Sequence, residues 1–88
     1  MAAIVCVDLP TGTLVGGPEI ATRGWVAPEE SEDLFNEIAR RVRSAVEAAL
    51  VDGVDRRQLE KVVRRAAGSY VGEKTRRRPM IVPVVVEA

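Results

Sequence analysis

The sequence predicts an α+β two-layer sandwich, a three-stranded sheet packed on two antiparallel helices in the order β-β-α-α-β. Three observations predict it. Short β-branched apolar segments stand near both ends of the chain, at Ala3–Asp8 and Pro79–Val86. Two apolar stripes at helical spacing fill the middle. Only a few residues around Gly53 separate those stripes, which makes the two helices neighbours in an αα-hairpin. The 88 residues are expected to form one small domain over 1–88. A chain of this size buries roughly 60–65% of its unfolded surface, enough for one modest core.

The elements follow in order. Ala3-Ile4-Val5-Cys6-Val7-Asp8 reads as a strand. Pro10-Thr11-Gly12 carries turn chemistry, with proline presetting φ and glycine taking the left-handed position. Gly16-Gly17-Pro18 reads as a second break, and Glu19–Val26 as the second extended piece, weakened or bulged at Gly24. The two extended pieces can pair as a long antiparallel hairpin. Ser31 is the expected N-cap of the first helix, with Glu32 and Asp33 favourable to its dipole. Leu34, Phe35, Ile38, Val42, Ala45, Val46, Ala49 and Leu50 form its stripe, and Gly53 ends it. Asp55 and Gln58 form an Asp variant of the capping box at the second helix, with Val54 and Leu59 at the staple positions. Its stripe is Leu59, Val62, Val63, Ala66, Ala67, Tyr70 and Val71. Pro79–Val86 is a last strand, apolar on both faces and so expected to be largely buried. Pro83 should sit on its edge-facing side or at a bulge. The expected scaffold is Val5, Val7, Ile20, Leu34, Ile38, Val42, Val46, Leu59, Val62, Val63, Ala66, Met80, Val82 and Val84.

Composition narrows the chemistry. Hydrophobic residues make up 47% and charged residues 30%, with 13 basic against 13 acidic, which is globular rather than disordered. There is no histidine, which excludes Ser-His-Asp triads, Cys-His dyads and histidine-ligated metals within the chain. Cys6 is the one cysteine, so no internal disulfide or four-cysteine zinc site forms, and its apolar run suggests a buried, inert thiol. Trp25, Phe35 and Tyr70 are the only aromatics, too few for a base-stacking platform. No apolar run approaches the roughly 18 residues of a membrane span, and the start lacks a secretory pattern. A cytoplasmic protein, with no membrane partner, is the expectation.

Most carboxylates, among them Glu29, Glu30, Glu32, Asp33 and Glu37, fall at a helix start or on a helix polar face, where they complement the dipole and meet solvent. Gly16-Gly17 lacks the Lys-Ser/Thr and the strand-to-helix setting of a phosphate loop. Basic charge is concentrated. Residues 56–78 hold nine basic against two acidic residues, a balance of +7, and the remainder carries −7. Such a segment attracts phosphates at long range or pairs with an acidic neighbour. Its densest part, Lys74, Arg76, Arg77 and Arg78, is the candidate RNA contact. The final strand raises a different issue. Two helices cover one face of a three-stranded sheet, leaving the other face to a docking partner or further copy, or to crossing residues of the hairpin that cover it. Met80, Val82, Val84 and Val86 are the candidate interface residues.

Three stretches resemble the C-terminal domain of the ribonuclease J family of metallo-β-lactamase/β-CASP ribonucleases. They are Val5-Cys6-Val7-Asp8 with Thr11-Gly12; Gly17-Pro18-Glu19-Ile20 leading into Thr22-Arg23-Gly24-Trp25-Val26, where family members more often have Ser then Arg-Gly-Phe-Val; and Glu73–Glu87 with its basic run and two-proline strand. The resemblance covers nearly the whole chain. It implies a three-stranded sheet covered by two helices, joined by a linker to a catalytic body and linked to dimer or tetramer assembly and full activity. It also implies a parent that is a metal-dependent endo- and 5′-to-3′ exoribonuclease of RNA maturation and decay. The parent would use zinc or other divalent ions held by histidines and aspartates of other domains. None of that motif maps onto this chain, so catalytic and metal-binding residues are expected to be none here, with no cofactor of its own. Met1 is then expected to be an expression start or an internal residue. The expected partners are the catalytic body of the same protein, a further copy in a homo-oligomer, and RNA. The rival readings are a standalone RNA-binding module built on Lys74–Arg78 and a small carboxylate-only enzyme.

Overall fold

The computed structural model describes residues 1–21, 28–75 and 80–88, of which 28–32 and 75 are described by their helical backbone alone. Along the chain run β1 (Ala2–Asp8), β2 (Thr13–Ala21), α1 (Pro28–Val51), α2 (Arg56–Thr75) and β3 (Val82–Glu87). This is the predicted β-β-α-α-β order. The sheet order is β2-β1-β3, with β1 antiparallel to β2 and parallel to β3. β1 is therefore central, and both helices lie on one face of the sheet, α1 against β2 and α2 against β3.

The β1–β2 turn falls at Pro10-Thr11-Gly12. The Gly12 N–H donates to the Leu9 carbonyl at 3.2 Å, and Gly12 has φ +67°. The Thr11 hydroxyl adds a 3.0 Å hydrogen bond to that of Thr13. The expected break at Gly16-Gly17-Pro18 is corrected, because β2 runs straight through it. The pairing passes from Ile4↔Glu19 to Cys6↔Gly16 and then Val7↔Leu14, so β2 takes up extra residues as bulges rather than turning. Gly17 makes this possible. Its φ is +89°, and a Cβ there would lie 2.7 Å from the Ile4 carbonyl oxygen. The Arg43 guanidinium donates to the Gly17 carbonyl at 3.3 Å and ties α1 to the bulge. The Gly24 bulge and the stretch to Val26 lie outside the described residues.

α1 begins at Pro28, three residues before the expected cap at Ser31. Proline is well suited to a first turn, where its fixed φ is helical and its missing N–H has no partner to lose. Gly53, at φ +76°, ends the helix as predicted, with its N–H bonded to the Leu50 carbonyl at 3.1 Å. The capping box of α2 is present in both directions. The Gln58 N–H donates to Asp55 Oδ1 at 2.8 Å, and the Asp55 N–H donates to Gln58 Oε1 at 3.1 Å. Asp55→Ala should therefore cost about 0.5–2 kcal/mol in chemical denaturation, whereas Asp55→Asn should cost far less.

The core lies between the layers. Ala3, Val5 and Val7 of β1 are fully buried beneath Ile38, Val42 and Val46 of α1 and Leu59, Val63, Ala67 and Val71 of α2. Tyr70, Leu50, Ile81 and Val85 complete it, and Ile20, Leu34, Val62 and Ala66 pack at its margin. Two expected scaffold residues are corrected. Met80 is 81% exposed and Val82 47% exposed. Side chains alternate along a strand, and the register Val5↔Val85 turns Val85 toward the helices, so Val82, Val84 and Val86 turn the other way. Val84 is half-buried. Cys6, expected to be buried, is also only half-buried, because it shares that outer face.

Pro83 lies where the sequence requires. The Val82 N–H donates to the Met1 carbonyl at 2.9 Å and the Ala88 N–H to the Val7 carbonyl at 2.7 Å. In a parallel ladder this alternation turns even-numbered residues of β3 toward β1 and odd-numbered ones outward. The donor that proline lacks is thus one the open edge would have left unpaired.

Candidate functional site

Two surfaces stand out, on opposite layers. The first is the sheet face turned away from the helices. The parallel register places Ile4 beside Val84 and Cys6 beside Val86. Val86 is 46% exposed, and Val15 of β2, at 58%, adds a further exposed valine. Of the four candidate interface residues, Val82, Val84 and Val86 thus share one face through the pleat. Met80 is exposed just before β3. Val15, Ile4 and Cys6 join this region without having been singled out. The apolar alternation of β1 carried that signal, but only pairing shows which half of it stays uncovered.

The second surface belongs to the helix layer. A cavity of about 470 Å³ is lined by Arg41 and Ala45 of α1 and by Lys61, Val62, Arg65, Ala66 and Ser69 of α2. A smaller concavity beside it is lined by Lys61, Arg64 and Arg65. Helical periodicity explains the arrangement. α2 buries Leu59, Val63 and Ala67, and Val62 and Ala66 lie one step around the helix, at the margin of that stripe. Lys61, Arg64 and Arg65 lie further out and are exposed. Sequence reasoning placed Val62 and Ala66 in the core; the structure leaves them half-buried along the seam between helices.

Of the candidate RNA-contact residues, Lys74 is exposed at the end of α2, with its ammonium 5.9 Å from the centre of the Tyr70 ring. Arg76, Arg77 and Arg78 lie outside the described residues. The Arg41 guanidinium stacks over the same ring at 4.4 Å. Arg41 also donates to Glu37 Oε1 at 3.1 Å, and Arg40 donates to both oxygens of that carboxylate. Hydrogen bonds from Arg40 and then Arg41 lower the Glu37 pKa to about 2, so the cluster stays charged at any ordinary pH. The basic rim further along α2 differs. Arg56 pairs with Glu60 and Glu87, but Lys61, Arg64 and Arg65 have no acidic partner among the described residues.

The divalent-metal chemistry implied for a family parent does not fit this chain. The sequence has no histidine, and among the described residues no three His, Cys, Asp or Glu side chains converge on a point that could hold an ion. Among those residues, no helix is long and apolar enough to cross a membrane.

Comparison with known proteins agrees with the architecture. A family model described as "Ribonuclease J C-terminal domain" matches residues 1–88. The chain is similar to Ribonuclease J2 of Bacillus subtilis (strain 168), at 39% identity over 88 residues, covering 99% of this chain and 16% of that protein. It is similar to Ribonuclease J 2 of Staphylococcus aureus (strain NCTC 8325 / PS 47), at 38% identity over 86 residues, covering 97% of this chain and 15% of that protein. It therefore spans about one-sixth of the length of these relatives and aligns with none of the rest. A match across all 88 residues, on a sheet and helix pair whose order the sequence predicts, places the chain in the ribonuclease J family, as a C-terminal domain.

Proposed function

We propose that this chain is the non-catalytic C-terminal domain of a ribonuclease J that acts in RNA maturation and decay, and that it supports assembly and full activity of a catalytic body elsewhere in the protein. The uncovered apolar sheet face carries this reading. Val82 and Val86 are nearly half exposed, Val82 beside Ala2 and Val86 beside Cys6, on a face that neither α1 nor α2 covers. A contiguous apolar surface on a small domain marks an association site. Here the sheet would pack on another copy or on the catalytic body, and so set the geometry in which RNA reaches metal ions held by the body.

The test is a double variant, Val82→Glu with Val86→Glu, in the full-length protein that carries this domain. Both side chains are already exposed, so thermal unfolding should move by only a few degrees. Sedimentation velocity should show smaller assemblies, and RNA hydrolysis should fall. Reduced hydrolysis with unchanged sedimentation would assign the face to the catalytic body rather than to another copy. Unchanged sedimentation together with unchanged hydrolysis would overturn the reading. RNA contact through Lys74, Arg76, Arg77 and Arg78 is the second reading, favoured by the +7 balance of residues 56–78. Its signature is an affinity for single-stranded RNA that falls steeply with added salt.

A further inference from the structure

We infer that the groove between α1 and α2 is a docking site for an acidic amphipathic helix of a partner polypeptide. The inference is independent of the sheet-face reading, since it uses other residues on the other layer. Three observations converge. The groove has an apolar floor of Ala45, Val62 and Ala66, small side chains that leave a volume of about 470 Å³ for larger ones to enter. Its rim is cationic: Lys61 and Arg65 stand on the α2 side, free of any acidic partner among the described residues, and Arg41 stands on the α1 side. Its walls come from two helices packed side by side, with no strand residue among them. A groove of this form receives a third helix, whose apolar residues at i, i+3, i+4 and i+7 fill the floor while its flanks meet the rim.

Charge chooses the occupant. Arg41 is already paired with Glu37, so Lys61 and Arg65 set the sign of the rim: a helix with basic flanks would meet them in repulsion, whereas Asp and Glu flanks would supply the partners those two lack among the described residues. Chemistry also favours protein over RNA. Phosphates need cations but have no use for an alkyl floor, and bases need an exposed aromatic ring to stack on. Tyr70, whose ring Arg41 of the groove's rim stacks on, is buried and already capped by that guanidinium.

The experiment uses the 88-residue chain and a fluorescein-labelled synthetic helical peptide of about 18 residues, long enough to hold helix in water. The peptide carries Leu at i, i+3, i+4 and i+7 positions and Glu on its flanks; a second peptide has Lys in place of Glu. Fluorescence anisotropy should give micromolar binding of the Glu peptide and at least about tenfold weaker binding of the Lys peptide. Lys61→Glu with Arg65→Glu, both exposed and so expected to fold, should reverse that preference. Ala66→Arg, which fills the floor from its margin, should weaken both peptides, with circular dichroism confirming that the helices persist. Equal binding of both peptides, or binding unaffected by the charge reversal, would overturn the proposal. So would a single-stranded oligouridylate that binds the same residues more tightly than the Glu peptide, which would make the groove an RNA contact. Self-association of the unmodified chain that the charge reversal abolishes would also overturn it, by making the occupant a second copy.

Discussion

Ile38→Ala should remove about 2–5 kcal/mol of stability. Ile38 is fully buried and, with Leu59, is among the largest side chains with no solvent contact among the described residues. It belongs to the same buried cluster as Val5 and Val7 of β1, on a helix that packs against β2 and α2. Alanine would leave a void that two helices and a strand would all have to shift to fill, and close-packed interiors collapse only in part. A domain of this length is stable by roughly 4–13 kcal/mol, so the variant stands near the edge of folding at physiological temperature. Urea unfolding followed by circular dichroism measures the loss. Val15→Ala, at an exposed position of the outer sheet face, should change stability by less than about 0.5 kcal/mol and serves as the control. A loss at position 38 no larger than at position 15 would show that α1 does not pack on the sheet as described.

Gly17→Ala should be the second severe change, for a reason of backbone rather than packing. A left-handed φ of +89° costs a non-glycine residue about 1–3 kcal/mol. At this position there is also no room, because the new Cβ would meet the Ile4 carbonyl oxygen at 2.7 Å and the Glu19 nitrogen at 3.3 Å. Those atoms belong to the β1–β2 ladder, so relief requires the strands to separate. Gly53→Ala isolates the conformational part. Its φ is +76°, and nothing lies within 4 Å of the added Cβ. Gly17→Ala should therefore be the more destabilising of the two, and hydrogen exchange should show lost protection in β1 and β2. Equal effects at the two positions would mean that β1 and β2 are not bulged at Gly17.

The clearest sequence signals were local ones. The Asp55–Gln58 box, the Gly53 stop and the stripe through Ile38, Val42 and Val46 are all written within a few residues of each other, and each appears as read. The misreadings share a different character. Gly16-Gly17-Pro18 has the composition of a turn, yet its fate depends on Ile4 and Cys6, which lie across the ladder. Cys6 and Val82 have the composition of a core, yet their exposure depends on which face the helices cover. The groove rimmed by Lys61 and Arg65 could not be read at all, since it exists only where α1 passes α2.

Propensity, capping and periodicity act over one or two turns of chain, so the kinds of element, their order, the Gly53 stop, the α2 cap and the uneven distribution of charge were legible in the sequence alone. The tertiary structure alone decided that β3 lies parallel beside β1, that Val85 rather than Val84 faces the helices, and that an apolar sheet face and a cationic groove end up on opposite layers. Those outcomes rest on strand register and helix approach between residues far apart in the chain, and a shift of one residue in register exchanges the two faces of a strand.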